Sequence, residues 1–317
     1  MEAYLPDRLA VVLLACGAVL ATGLTALVLG AHGTPTRSRA VGWALLAANA
    51  VGLERLLRHE PAGVRMLLLI AGCLLAMKAL VLTEARVGGL VLPPARRFVF
   101  LLWVGMDPRP FAARDPQARP GAGAIMARGA AFLASGLALV ALARVVDARV
   151  GATAILLVGL SLALHFGLLN VGCGLLRLAG YPVERPFDAP LLARNLTEFW
   201  GRRWNRPFSD MLSAVIYRPL RRRAGRPAGV LAAFALSGLL HEVAISVPVR
   251  AGFGLPLAYF VAHGGLVLLE GHLARRGRPI GGVAGRAWTL AWLAGPLAAL
   301  FHPPFLRGVV WPLAGLS

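Results

Sequence analysis

Long apolar runs restrict this chain more than any other feature of its sequence. They fall at 9–30, 40–57, 64–83, 128–146, 152–176, 228–249, 254–271 and 287–302. A helix needs about 20 apolar residues to cross the roughly 30 Å hydrocarbon core of a bilayer. Backbone groups in lipid must be satisfied internally, so only helices and closed barrels span, and runs of this length, rather than ten-residue alternation, select helices. Hydrophobic residues are 58% of the 317, which fits an integral membrane protein. The pattern predicts an all-α fold, a polytopic transmembrane helical bundle of about eight spans. Phe98 to Met106 is too short to cross alone and, like Phe305 to Leu316, reads as re-entrant or interfacial. No internal repeat or linker marks a second unit, so 1–317 is expected to be a single membrane domain.

The net charge of +19 does not point to nucleic acid, because such a binder carries its basic patch on a folded soluble domain and the arginines here lie between apolar runs. Lys78 is the only lysine. The connections 31–39, 84–128, 177–227 and 272–286 hold about 24 arginines against about seven on the alternate side, so the first set is predicted to be cytoplasmic and the N-terminus outside. A multi-pass protein of a bacterial cytoplasmic membrane is the expected setting, with membrane lipids as neighbours; the pattern sets no oligomeric state. The 177–227 connection carries too many aromatic residues for a disordered loop and is expected to fold against the membrane. Cys16, Cys73 and Cys173 lie in apolar runs without metal or disulfide spacing, as small core residues do.

Two constellations could carry chemistry. Residues 195–205 read NLTEFWGRRWN. As a helix capped by Asn195 or Thr197, this segment would place Trp200 and Trp204 on one face and Glu198 beside Arg202. The plain reading of such a segment is an interfacial aromatic belt with solvated arginines. The second constellation is Ser237-Gly238-Leu239-Leu240-His241-Glu242, inside an apolar run. An ionisable pair in a span is costly and points to function. His165 and His263 also lie in apolar runs, where a histidine is more often a hydrogen-bonded core residue. His241-Glu242 is not followed by a second histidine at the spacing of a His-Glu-x-x-His helix, since position 245 is Ile245. A zinc-protease helix is therefore not indicated, although a metal held by His165, His241 and His263 from separate helices stays open. No resident cofactor or metal is expected.

Together the two constellations resemble the membrane-bound O-acyltransferase family, and within it the wax-synthase-like branch. Pro190 to Leu220, with FWGRRWN followed by Tyr217-Arg218-Pro219, is similar to that branch's signature, and Ser237 to Glu242 is similar to the family's Ser-Gly-x-x-His-Glu. The resemblance implies a helical bundle around a chamber, with acyl-CoA as co-substrate and a lipophilic alcohol as acceptor. It further implies His241 as the catalytic base and Asn205 as its polar companion. The N-terminal half matches no motif.

Acyl transfer from a thioester to an alcohol needs a base for the hydroxyl proton, and burial disfavours a charged imidazole, so His241 is expected to rest neutral and ready to accept. Its neighbour Glu242 points about 100° away around the helix and is expected to pair with an arginine or a backbone group. Under this reading Arg202, Arg203 and Arg206 hold the phosphates of CoA by planar bidentate geometry, and Trp200 and Trp204 border the acyl path. Ser237, one turn before His241, and His263 complete the candidate substrate-binding set. Acceptors other than a long-chain alcohol (a sterol, a glycolipid, a secondary metabolite or a polysaccharide) fit the same chemistry. A lipid transporter or lipid-binding membrane protein would use the bundle without catalysis.

Overall fold

The structure, a computed structural model, describes residues 2–316. Among them the regular elements are all helices. In chain order we label α1 (Leu9–Leu29), α2 (35–56), α3 (Ala62–Val87), α4 (Pro94–Leu102), α5 (Ala122–Ala143), α6 (Arg149–Leu178), α7 (196–203), α8 (Arg206–Val249), α9 (Leu255–Arg275), α10 (Gly282–Leu300) and α11 (Pro303–Ala314).

Six helical stretches are long and apolar enough to cross a membrane, and a seventh arises if α10 and α11, bent by 68°, count as one span. The protein is therefore an integral membrane protein with fewer such helices than the eight expected. The run at 287–302 counts only through that bent pair, and the remaining difference lies in the run at 40–57. It does form a helix, α2, but Arg37 and Arg39 at one end and Glu54 and Arg55 at the other shorten its apolar stretch. The nine-residue α4 is too short to cross, as its sequence implied.

The bundle is built around α3, the most buried of the long apolar helices, against which α1 and α2 pack. Lys78 on α3 is fully buried. Its ammonium group donates to the carbonyls of Phe100 (2.8 Å) and Gly105 (2.6 Å). Phe100 lies in the last turn of α4 and Gly105 just beyond it, so the two bonds pin the end of α4 to the bundle. Helices α5 and α6 form a tight pair, where a Cβ at Gly136 would come within 2.6 Å of the Gly159 carbonyl. Small residues permit this close approach where lipid offers little hydrophobic drive for association. Cys73 and Cys173 are buried and Cys16 is half-buried, all as free thiols.

Helices α8 and α9 pack along one another and carry the second motif. The connection at 179–205 folds back on the bundle, with Tyr181, Val183, Phe187 and Phe199 buried, as its aromatic content suggested.

Candidate active site

The NLTEFWGRRWN segment begins as a helix and then widens. Asn195 caps it, its side-chain oxygen accepting the Glu198 N–H at 2.7 Å. From Phe199 the turn becomes π-helical, with the Trp204 N–H reaching the Phe199 carbonyl five residues back at 2.9 Å. The wider turn changes which side chains meet. Glu198 pairs with Arg203 at 2.7 Å, not with Arg202, because five residues now bring the chain back over itself. Trp204 has already left the helix (φ −102°, ψ 123°), so it does not share a helical face with Trp200 as a four-residue spacing implied. Asn205 follows in the left-handed region (φ 44°, ψ 54°), which asparagine tolerates better than most residues.

A second carboxylate, absent from the sequence-based candidates, anchors this segment. Glu270, buried on α9, accepts the N–H groups of Leu196 (2.7 Å) and Thr197 (2.8 Å), the Thr197 hydroxyl (2.6 Å) and the Trp288 indole N–H (3.1 Å). The two backbone N–H groups are orphan donors at the start of α7. Their capture fixes Trp200 and Asn205 relative to α9. A lone glutamate at the end of an apolar run was the available signal, but its partners in the motif segment, Leu196 and Thr197, lie more than 70 residues away in sequence.

The motif segment, α8 and α9 line a cavity of about 340 Å³. Trp200, Trp204, Asn205, Ser237 and His241 all line it. So do Phe208, Tyr217, Phe234 and Phe260, which make its walls largely aromatic. One face of α8 supplies Arg226, Val230, Ala233, Phe234, Ser237 and His241; this spacing is that of a single helical stripe. Arg226 is the only charged arginine, lysine, aspartate or glutamate of the lining, and no carboxylate among the described residues pairs with it. Gly271 on α9 leaves room for its guanidinium, since a Cβ there would meet it.

His241 is held at both its nitrogen and its ring face. Its Nδ1 lies 2.7 Å from the Ser237 carbonyl. A carbonyl can only accept, so in the neutral ring Nδ1 carries the proton and Nε2 is left as acceptor. Thus Ser237 orients His241 through its backbone. The ring lies 4.1 Å from that of Phe260 and 6.1 Å from that of Phe208, centroid to centroid. Glu242 turns away and its Oε1 accepts the N–H groups of Gly254 (2.8 Å) and Leu257 (3.1 Å), capping α9. This is the backbone pairing its sequence position suggested.

Other candidates lie outside the lining. Arg202 is exposed, Arg203 is engaged by Glu198 and by the carbonyls of Asp188 and Ala189, and Arg206 pairs with Glu184. His263 is buried behind Trp200, with Nδ1 2.8 Å from the Tyr259 carbonyl and the two rings 5.5 Å apart. His165 packs against Phe187 and Trp204 and bonds to Ser161 at 3.2 Å. Among the described residues no three His, Cys, Asp or Glu side chains come together as a metal site, so His165, His241 and His263 do not converge.

A polytopic helical membrane protein with an imidazole facing an internal aromatic chamber is the class defined by this fold and site. Residues 183–261, which carry both motifs, match the model of the Membrane bound O-acyl transferase family. The match falls on the segment whose motifs resemble that family. The chain is 34% identical over 143 residues to a probable long-chain-alcohol O-fatty-acyltransferase 7 of Arabidopsis thaliana, covering 41% of this chain and 42% of the relative. It is 39% identical over 100 residues to a long-chain-alcohol O-fatty-acyltransferase of Simmondsia chinensis, covering 29% and 28%. A probable long-chain-alcohol O-fatty-acyltransferase 2 of Arabidopsis thaliana is 32% identical over 155 residues, with 45% of each chain covered. The chain thus spans less than half the length of these curated relatives.

Proposed function

We propose that this protein is an O-acyltransferase that moves a fatty acyl group from acyl-CoA to the hydroxyl of a long-chain alcohol, with His241 as general base. The observation that carries the reading is the fixed tautomer of His241. Its proton is committed to the Ser237 carbonyl, which leaves Nε2 as the acceptor on a ring that lines the chamber.

In the proposed step, His241 Nε2 takes the alcohol proton as the oxygen forms its bond to the acyl carbon. The carbon–sulfur bond breaks, and the thiolate of CoA leaves and recovers the proton from the imidazolium. No protein nucleophile is needed. Base assistance contributes about 10²–10⁴-fold, and alignment of two substrates in a chamber with aromatic walls supplies more. Exclusion of water protects the thioester from hydrolysis. Asn205, which also lines the chamber, carries an amide that would offer a donor to the developing oxyanion.

Arg226 suits the anionic end of the donor. It stands fifteen residues before His241 on the same helix, or about 22 Å along it at 1.5 Å per residue. A carrier with its phosphates at Arg226 would lay its arm along the α8 stripe and bring the thioester towards His241. In this arrangement Arg226 replaces the ion-paired Arg203 and Arg206 as the phosphate contact, on the cytoplasmic side that the arginine count favours. The long-chain alcohol is taken from what the matched relatives are named for.

Mass spectrometry of lipids from cells expressing the wild type or His241→Ala tests the reading. A fatty ester present only with the wild type is expected, and its mass would name both substrates. Identical lipid profiles, with both proteins present in the membrane, would overturn it.

A further inference from the structure

A second cavity, of about 740 Å³, lies on the other side of residues 206–217 from the chamber. The two share this wall, since Phe208, Leu212 and Ser213 line the chamber whereas Asp210, Ala214 and Val215 line the second cavity. Its charged groups divide into two sets. Arg39 is neutralised by Glu84 through bonds of 2.5 and 2.8 Å, and Arg109 by Asp107 at 2.8 Å. Arg218, Arg222 and Arg223 also line the cavity. No carboxylate among the described residues pairs with any of the three, and Asp210 is the one remaining acidic group in the lining. The crevice therefore holds an excess of unanswered guanidinium.

Trp43, Val81, Leu90 and Met106 add apolar surface to the lining, beside the neutralised Arg39–Glu84 and Arg109–Asp107 pairs. A break in α8 keeps the crevice separate from the chamber. Gly225 adopts φ 82° and ψ 174° between Arg223 and Arg226, conformations that glycine enters at little cost. Arg226 consequently lines the chamber, while the preceding arginines line the crevice.

Guanidiniums recognise phosphate by paired, charge-assisted hydrogen bonds, and the apolar surface in the same lining favours a ligand that also carries an apolar group. We propose that this crevice is a binding site for a phosphate ester bearing an apolar group, distinct from the chamber that contains His241. A phospholipid headgroup and a soluble nucleotide both offer that chemistry.

The experiment uses the full chain in two arms. In one, the protein is released from bilayers of equal phosphatidylglycerol and phosphatidylcholine and its retained lipids are counted by native mass spectrometry. In the other, ADP is titrated against thermal unfolding in detergent. The wild type is expected to retain phosphatidylglycerol preferentially or to be stabilised saturably by ADP, and the responding arm identifies the source. Arg218→Gln/Arg222→Gln/Arg223→Gln is expected to lose that response at least tenfold. Arg275→Gln/Arg276→Gln/Arg278→Gln, which removes equal charge from exposed positions, should retain it. Arg222→Gln alone should show the same loss at smaller amplitude if the triple variant does not fold. Arg226→Gln should keep the response, which separates this site from the donor reading of the chamber. No response in either arm, or equal loss in both triple variants, would overturn the proposal.

Discussion

The imidazole of His241 and the ring of Phe260 lie 4.1 Å apart, centroid to centroid, at 37°. Phe260 stands on α9, and Glu242, the residue after His241, caps the start of that helix. The base and the surface that limits its rotation are thus tied together by its own neighbour. Phe260→Leu conserves most of the volume and should cost less than about 1.5 kcal/mol of stability. It should nevertheless lower kcat by up to about 10²-fold through a misplaced base, as read by steady-state ester formation beside thermal unfolding.

Removal of the cap separates stability from chemistry. Glu242→Ala leaves the Gly254 and Leu257 N–H groups without their acceptor and is expected to cost about 1–2 kcal/mol, as the loss of a helix cap does. Glu242→Gln, which keeps an oxygen acceptor, should cost less. Chemical denaturation of the two variants in detergent checks the order.

At Glu198 the structure gives a pH dependence. Its carboxyl is held below its ordinary value of 4.5, first by the Arg194 backbone N–H and then by Arg203. A depressed folded value means that the contribution to stability is present above about pH 4.5 and disappears as pH falls through the folded value. Glu198→Gln should therefore melt below the wild type at pH 6, and the difference should shrink towards zero in acid. A difference that stays constant with pH would argue against this ion pair.

Arg226→Gln is expected to raise the KM for acyl-CoA about tenfold with little change in kcat, the size of one lost charge-assisted hydrogen bond. Gly271→Ala places a methyl group where the guanidinium now rests and should act in the same direction, although alanine favours the helix by up to about 1 kcal/mol. Initial rates over a range of donor concentrations separate the two constants.

How much of this site was legible depended on the distance over which each residue acts. His241 and Asn205 stand in motifs with their chemistry in local sequence, and both line the chamber. The long apolar runs likewise marked the helices, because a bilayer imposes its thickness directly on sequence. The π-helical turn at Phe199 was not legible. Nothing in FWGRRWN distinguishes a four-residue from a five-residue return, yet that choice moves the partner of Glu198 from Arg202 to Arg203 and frees Trp204 from the helix. Arg226 was hidden among neighbouring arginines until the break at Gly225 turned it into the chamber. Glu270 needed its distant partners in place before its role could be read.

The most direct measurement is ester formation by purified wild type and His241→Ala in proteoliposomes, with labelled palmitoyl-CoA and 1-hexadecanol. Hexadecyl palmitate is expected from the wild type, with a fall of about 10²-fold or more in the variant and the unfolding temperature unchanged. Equal rates from the two folded proteins would contradict it.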